Sequence, residues 1–220
     1  MSSQDIQIAR ETAELFKSNI FKLQIDELLE QVKLKESHII RVEKFLHKLY
    51  DLIQEVPEWK PHTLEEVEAY FSGKVVAVPF VDPKPQANST QYKFNYLKPD
   101  VSLVGSFGLK TVIFQPQGSS VDVLLTMPES IFDKKDFLNF RCFHKRALYL
   151  AYLTHHLSII LKKNQLEFLQ LEYYNFNNDP LQTVLKVSCK EKTSSEYNFY
   201  KTKFSINVIV GFPYNMFDAK

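Results

Sequence analysis

The hydrophobic period of this chain changes once, near residue 75, and that change restricts the fold more than any other feature. Before it, apolar residues recur at helical spacing: Ile8, Leu15, Ile25, Leu29 and Val32, then Val42, Phe45, Leu49, Ile53 and Val56. Residues 5–56 therefore read as two helices. The segment Glu55–Pro61 (EVPEWKP) closes them, because each proline disfavours helix in the residue before it. Thr63, with Glu66 completing a capping box, opens a further short helix. Beyond it the runs are rich in β-formers: Val75–Val81, Val101–Gly105, Val121–Met127, Leu166–Tyr173, Thr183–Cys189 and Phe204–Gly211. A polar loop over 82–98 separates the first two, and a long helix over 136–163 separates the third from the last three. Val121–Met127 lacks strict alternation, which predicts burial on both faces. This order specifies an α+β fold with a mixed sheet and flanking helices. It divides into a two-helix arm over residues 1–61 and a body over 62–220.

Composition supports one sizeable core and limits the partners. Of 220 residues, 45% are hydrophobic, with 18 Phe and 11 Tyr. A net charge of +1 gives the whole chain no pull on a polyanion, so any basic function must be local. Cys142 and Cys189 match no metal-ligand spacing and read as reduced, buried thiols. The apolar stretch 148–161 is broken by His155 and His156 and is too short to span a bilayer. The first ten residues lack the pattern of a signal peptide. A soluble intracellular chain with no membrane partner is expected, and Asn88-Ser89-Thr90, though it fits the glycosylation pattern, reads as a polar loop.

The chemistry-bearing constellation lies at the ends of two strands. Val104-Gly105-Ser106 closes one, and Val121-Asp122-Val123-Leu124-Leu125 opens the next. A strand ending in Gly-Ser, followed by a strand bearing Asp-x-Asp, is the arrangement of polymerase-β-type nucleotidyltransferases. Glycine lets the backbone approach a triphosphate, and the serine hydroxyl and turn amides can bind its oxygens. Carboxylates at i and i+2 share a strand face and can hold a pair of Mg²⁺ ions. Here the pattern breaks. Leu124 occupies the i+2 position, and Asn207 stands where a third carboxylate from a late strand would fit. One carboxylate cannot position two hard divalent cations. Asp100 is no substitute, since five extended residues put it about 16 Å from Gly105. Glu129, seven residues past Asp122, is also out of reach. No metal or cofactor is expected.

Longer segments sharpen this reading. FVDPKP (80–85), KPDVSLVGSFGLKT (98–111), VDVLLTMPESIFDKKDFLNFRCFHKRALYLAYLTHHL (121–157) and YNFYKTKFSINVIVGFP (197–213) resemble the Nrap family of nucleolar RNA-associated proteins. The arm segment ELFKSNIFKLQIDELL (14–29) shares the resemblance, which covers nearly the whole chain and suggests a fungal member. It implies a degenerate poly(A)-polymerase-like module cut from a longer protein, without catalytic activity. It implies a nucleolar location and a scaffolding role in the small-subunit processome, supporting pre-rRNA processing and 40S assembly. Its implied partners are an rRNA-processing protein and casein kinase II, with pre-rRNA or small nucleolar RNA as a further ligand. The alternative is an active RNA nucleotidyltransferase using Asp122 with an unidentified second carboxylate.

Two surfaces offer contacts. On a helix at about 100° per residue, Lys134, Arg141, Lys145, Tyr152, His156 and Lys163 share one stripe, opposite Phe140, Phe143, Ala147, Leu150, Thr154 and Leu161. This stripe reads as a solvated face, or as a contact for RNA phosphates or an acidic partner. The arm, with 9 basic and 11 acidic residues over 1–60, either packs on the body or docks a partner helix. Histidine catalysis is not expected, because His155 and His156 diverge by about 100° on the helix. Cys142 and His144, two apart, do not face each other either.

Overall fold

The computed structural model describes residues 3–17, 19–85 and 93–217, with backbone alone at 15–17, 19, 215 and 217. Asn88-Ser89-Thr90 lies outside the described residues. Three helices precede the first strand: α1 (Ser3–Lys17), α2 (Asn19–Val32) and α3 (Glu36–Gln54). The sequence predicts two. The break at Lys33–Lys35 lets Leu34 turn inward, where it is 8% exposed, and α3 then buries Val42, Phe45, Leu49, Leu52 and Ile53. These side chains join the same core as the sheet. The described side chains of α1 and α2, by contrast, are exposed but for half-buried Phe21 and Val32. Side-chain burial in the common core therefore begins at Leu34, within the arm.

A two-stranded antiparallel ribbon, β1 (Trp59–His62) and β2 (Phe94–Tyr96), brackets α4 (Leu64–Phe71). Thr63 caps α4 through the expected box with Glu66. Residues 75–81, expected as a strand, form none, and Val75 is fully exposed. Pro79 lacks a ladder donor, and the Phe80 amide is used locally, donating to the Val78 carbonyl at 2.9 Å. The ribbon was hidden for the converse reason: its strands are short, and one contains Pro61.

The main sheet contains β3 (Asp100–Val104), β4 (Ser119–Thr126), β5 (Leu169–Asn175), β6 (Thr183–Cys189) and β7 (Phe204–Gly211). Its order is β3-β4-β7-β6-β5, with β4 and β7 parallel and every other pair antiparallel. The fold is α+β with a mixed sheet. A single helical turn, α5 (Gly105–Gly108), follows β3, and α6 (Arg141–Lys163) crosses one face of the sheet. In β4, Val121, Val123 and Leu125 are buried while Asp122, Leu124 and Thr126 are half-buried. Burial thus alternates along this strand, and the opposite face is only partly covered.

Helix α6 begins five residues later than the sequence suggests. Asn139 and Phe140 have φ of 53° and 58°, a left-handed conformation that a continuing α-helix does not admit. Once formed, the helix is covered on several sides, with Lys145 and Tyr152 each 4% exposed. The expected solvated stripe is not there.

Candidate functional site

The open face of the sheet is built from alternate residues, so register decides which side chains meet. Val104 pairs with Asp122, Asp122 with Asn207, Asn207 with Lys186, and Lys186 with Glu172. A polar row therefore crosses four strands. Beside it lies a row of Ser120, Ser205, Ser188 and Gln170, and on its other side Leu124, Ile209, Val184 and Tyr174. Gly105, just past the end of β3, lies against Asp122, which pairs with Asn207 midway along β4 and β7 with Leu124 two residues on; Ser106 is exposed in the turn after β3. Asp100 is at the far end of β3, opposite Thr126, and Glu129 is exposed beyond β4.

Asp122 is hydrogen-bonded through one oxygen and packed against backbone with the other. Its Oδ1 accepts a hydrogen bond from the Asn207 amide nitrogen at 2.7 Å. Its Oδ2 faces the backbone of Gly105, where an added Cβ would sit 2.9 Å away. Gly105 also has φ +74°, so conformation and space both select glycine at this turn. Leu124, two residues on, leans toward Gly211, whose added Cβ would lie 2.8 Å from Leu124 Cδ1. The partner of the carboxylate is a neutral amide, and an aliphatic side chain fills the next position on that face. Tyr174 completes the surroundings. Burial raises its phenol above the ordinary value and the Asp122 charge adds to this, while hydrogen bonding with Asn207 opposes it.

These residues do not fit a pair of divalent ions. Asn207 occupies one Asp122 oxygen, and Leu124 supplies no ligand. Glu172, the other carboxylate of the row, lies three strands away, about 14 Å at ordinary strand spacing. Among the described residues no group of three or more His, Cys, Asp or Glu side chains is placed to hold a metal.

The six residues of the α6 stripe do not form a surface. Lys145 is an interior residue: its Nζ donates to Asp136 Oδ2 at 2.5 Å and to the Ile131 carbonyl at 2.8 Å. Asp136 is 0% exposed and also accepts from the Asp133 amide at 2.8 Å. Tyr152 stacks on Trp59 with ring centroids 4.9 Å apart. His156 lies 4.3 Å from the Tyr152 ring, and its Nε2 meets the Tyr70 hydroxyl at 3.1 Å. Burial, then the neighbouring His155 and Lys74, push His156 down to about 4, so it carries no charge at neutral pH. Arg141 is half-buried, and only Lys134 and Lys163 are exposed. Both cysteines are free, Cys142 buried and Cys189 half-buried, and burial pushes the Cys189 thiol up to about 11.

Sequence reasoning missed Lys186 and Tyr174. The signal was present, since Lys186 is the only charged residue in β6, but its neighbours depend on a register that the strand itself does not encode.

The profile described as Nrap protein domain 1 matches residues 61–220. U3 small nucleolar RNA-associated protein 22 of Saccharomyces cerevisiae is 66% identical over 99% of this chain, which covers 18% of that protein. Nucleolar protein 6 of Homo sapiens is 40% identical over 71% of this chain and 13% of its own length. The Schizosaccharomyces pombe U3 small nucleolar RNA-associated protein 22 is 31% identical over 81% of this chain and 16% of its own length. The chain thus spans less than a fifth of each of these relatives. With this match over most of its length, the chain belongs to the Nrap family.

Proposed function

We propose that this chain is a catalytically silent, nucleotidyltransferase-like domain of a longer nucleolar protein, acting as a scaffold in small-ribosomal-subunit production. One observation carries the silent half of the reading: the Asn207 amide is hydrogen-bonded to Asp122 where a polymerase-β-type site needs metal-binding carboxylates. Leu124 on the same face supports it. An active enzyme would need a second carboxylate near Asp122, and the row offers only Glu172 at the far strand. The names of the relatives support the other half, since they denote nucleolar and U3 small nucleolar RNA-associated proteins. Nucleolar residence, processome membership and contact with an rRNA-processing protein and casein kinase II follow as expectations for the longer protein.

Replacement of Asp122 by Asn in the full-length protein tests the reading. Asparagine keeps an acceptor for the Asn207 amide but removes the charge that any metal chemistry would need. Nucleolar localisation and the yield of small subunits should both stay at the wild-type level. Loss of small subunits from a variant that still folds and still reaches the nucleolus would contradict the proposal.

A further inference from the structure

The charge of this chain is balanced as a whole but not around one concavity beside the open face of the sheet. Beside the serine row lies an open concavity of about 1080 Å³ lined by Lys35, Lys186, Lys192, Lys201 and Lys203, and by His38. No Asp or Glu lines it, although the chain has 26 of them against 27 Lys and Arg. Among the described residues none of these five lysines is in an ion pair; Lys203 donates to the Pro116 carbonyl at 3.1 Å. His38 is pushed below its ordinary value chiefly by burial, with Lys35 and Arg41 adding to it.

This basin shares Ser120, Lys186 and Ser205 with a second concavity of about 810 Å³, lined by Tyr174 and Phe176 and carrying one carboxylate, Glu172, across from Lys186. The two form one trough, basic at one end and aromatic at the other. At the basic end Tyr200 is 47% exposed. Ser188 adds a hydroxyl among the lysines, while that of Ser119 donates to the Ile113 carbonyl at 3.2 Å.

We infer that this trough binds the sugar-phosphate backbone of single-stranded RNA. The inference rests on the proposed RNA-associated role and assigns it a surface. Lysines are point charges suited to phosphate oxygens, and tyrosine and phenylalanine faces stack unpaired bases without regard to sequence. A duplex keeps its bases stacked on one another and would leave those rings unused. An acidic peptide would use the lysines but has no call on the rings.

Fluorescence anisotropy of a labelled 20-nucleotide oligouridylate with the 220-residue chain tests this, at 50 and 200 mM KCl. Four neutralised phosphates on a single strand give a slope of log affinity against log salt of about −3. Removing three lysines, in Lys186→Ala/Lys192→Ala/Lys201→Ala, should weaken binding at least about ten-fold and flatten the slope by about 2. Lys134→Ala/Lys163→Ala, away from the trough, should change neither. If the triple variant fails to fold, photocrosslinking of 4-thiouridine-substituted oligomer to the wild-type chain replaces it, with crosslinks expected at Tyr200 or Tyr174. Three outcomes overturn the inference: unchanged affinity and slope in the folded triple variant, crosslinks elsewhere, or poly-glutamate bound more tightly than the oligomer. None of these alters the Asp122→Asn result, so the two proposals fail separately.

Discussion

Two aspartates of this chain sit in opposite kinds of pocket. Asp136 is sealed inside the molecule and holds a cation, Lys145. Asp122 is half-buried on the open face of the sheet and holds an amide, Asn207. From sequence the roles look reversed: Lys145 reads as a ligand-binding charge, and Asp122 as the relic of a metal site. The contrast teaches that a charge is read correctly only with its partner. In the interior a full counter-charge is needed, since an unpaired ion there costs several kcal/mol. At the sheet face, where solvent shares the load, a neutral donor is enough.

The contrast can be broken by exchanging partners, and the largest effect belongs to the interior pair. Lys145→Met leaves Asp136 as a buried, uncompensated carboxylate and should lower stability by about 3–5 kcal/mol in urea denaturation. The reversal Lys145→Glu should be worse, not neutral as for a solvated position. Gly105→Ala comes next: φ +74° and a Cβ 2.9 Å from Asp122 Oδ2 should cost about 1–3 kcal/mol, read as a lowered thermal midpoint. Asn207→Ala removes only the neutral donor and should cost about 1–2 kcal/mol by the same melt. A loss as large as that of Lys145→Met would show that Asp122 is as demanding as Asp136.

The smallest effect is a pH dependence. His156 has its folded-state value lowered to about 4 from 6.5, so the unfolded chain takes up its proton first. Its contribution to stability is complete above pH 6.5 and drains away as pH falls toward about 4. Stability measured at pH 7 and pH 5 should therefore drop less in His156→Phe than in the wild-type chain. An equal drop in both would place the titration elsewhere.

Legibility from sequence followed how local the determining physics was. Strands β6 and β7 were readable to their ends because β-branched and other apolar residues are concentrated in both runs. The cap of α4 was readable because Thr63 and Glu66 bond within one turn. Residues 75–81 misled because strand propensity says nothing of a partner, and no strand pairs there. The α6 stripe misled because helical periodicity assumes one wet side. The sheet covers one side of this helix, and Trp59, Tyr70 and Tyr96 pack against another. The meeting of Asp122 and Asn207 was legible only through a motif that carries its own register. The lysine trough, drawn from α3, the loop before β4, and β6 to β7, had no such motif.

We propose that Asp122, hydrogen-bonded to the Asn207 amide, does no metal chemistry. The most direct test is incubation of the chain with a labelled nucleoside triphosphate, an RNA primer and Mg²⁺ or Mn²⁺. No primer extension is expected with either ion. Extension that is present in the wild-type chain and abolished by Asp122→Ala would contradict it.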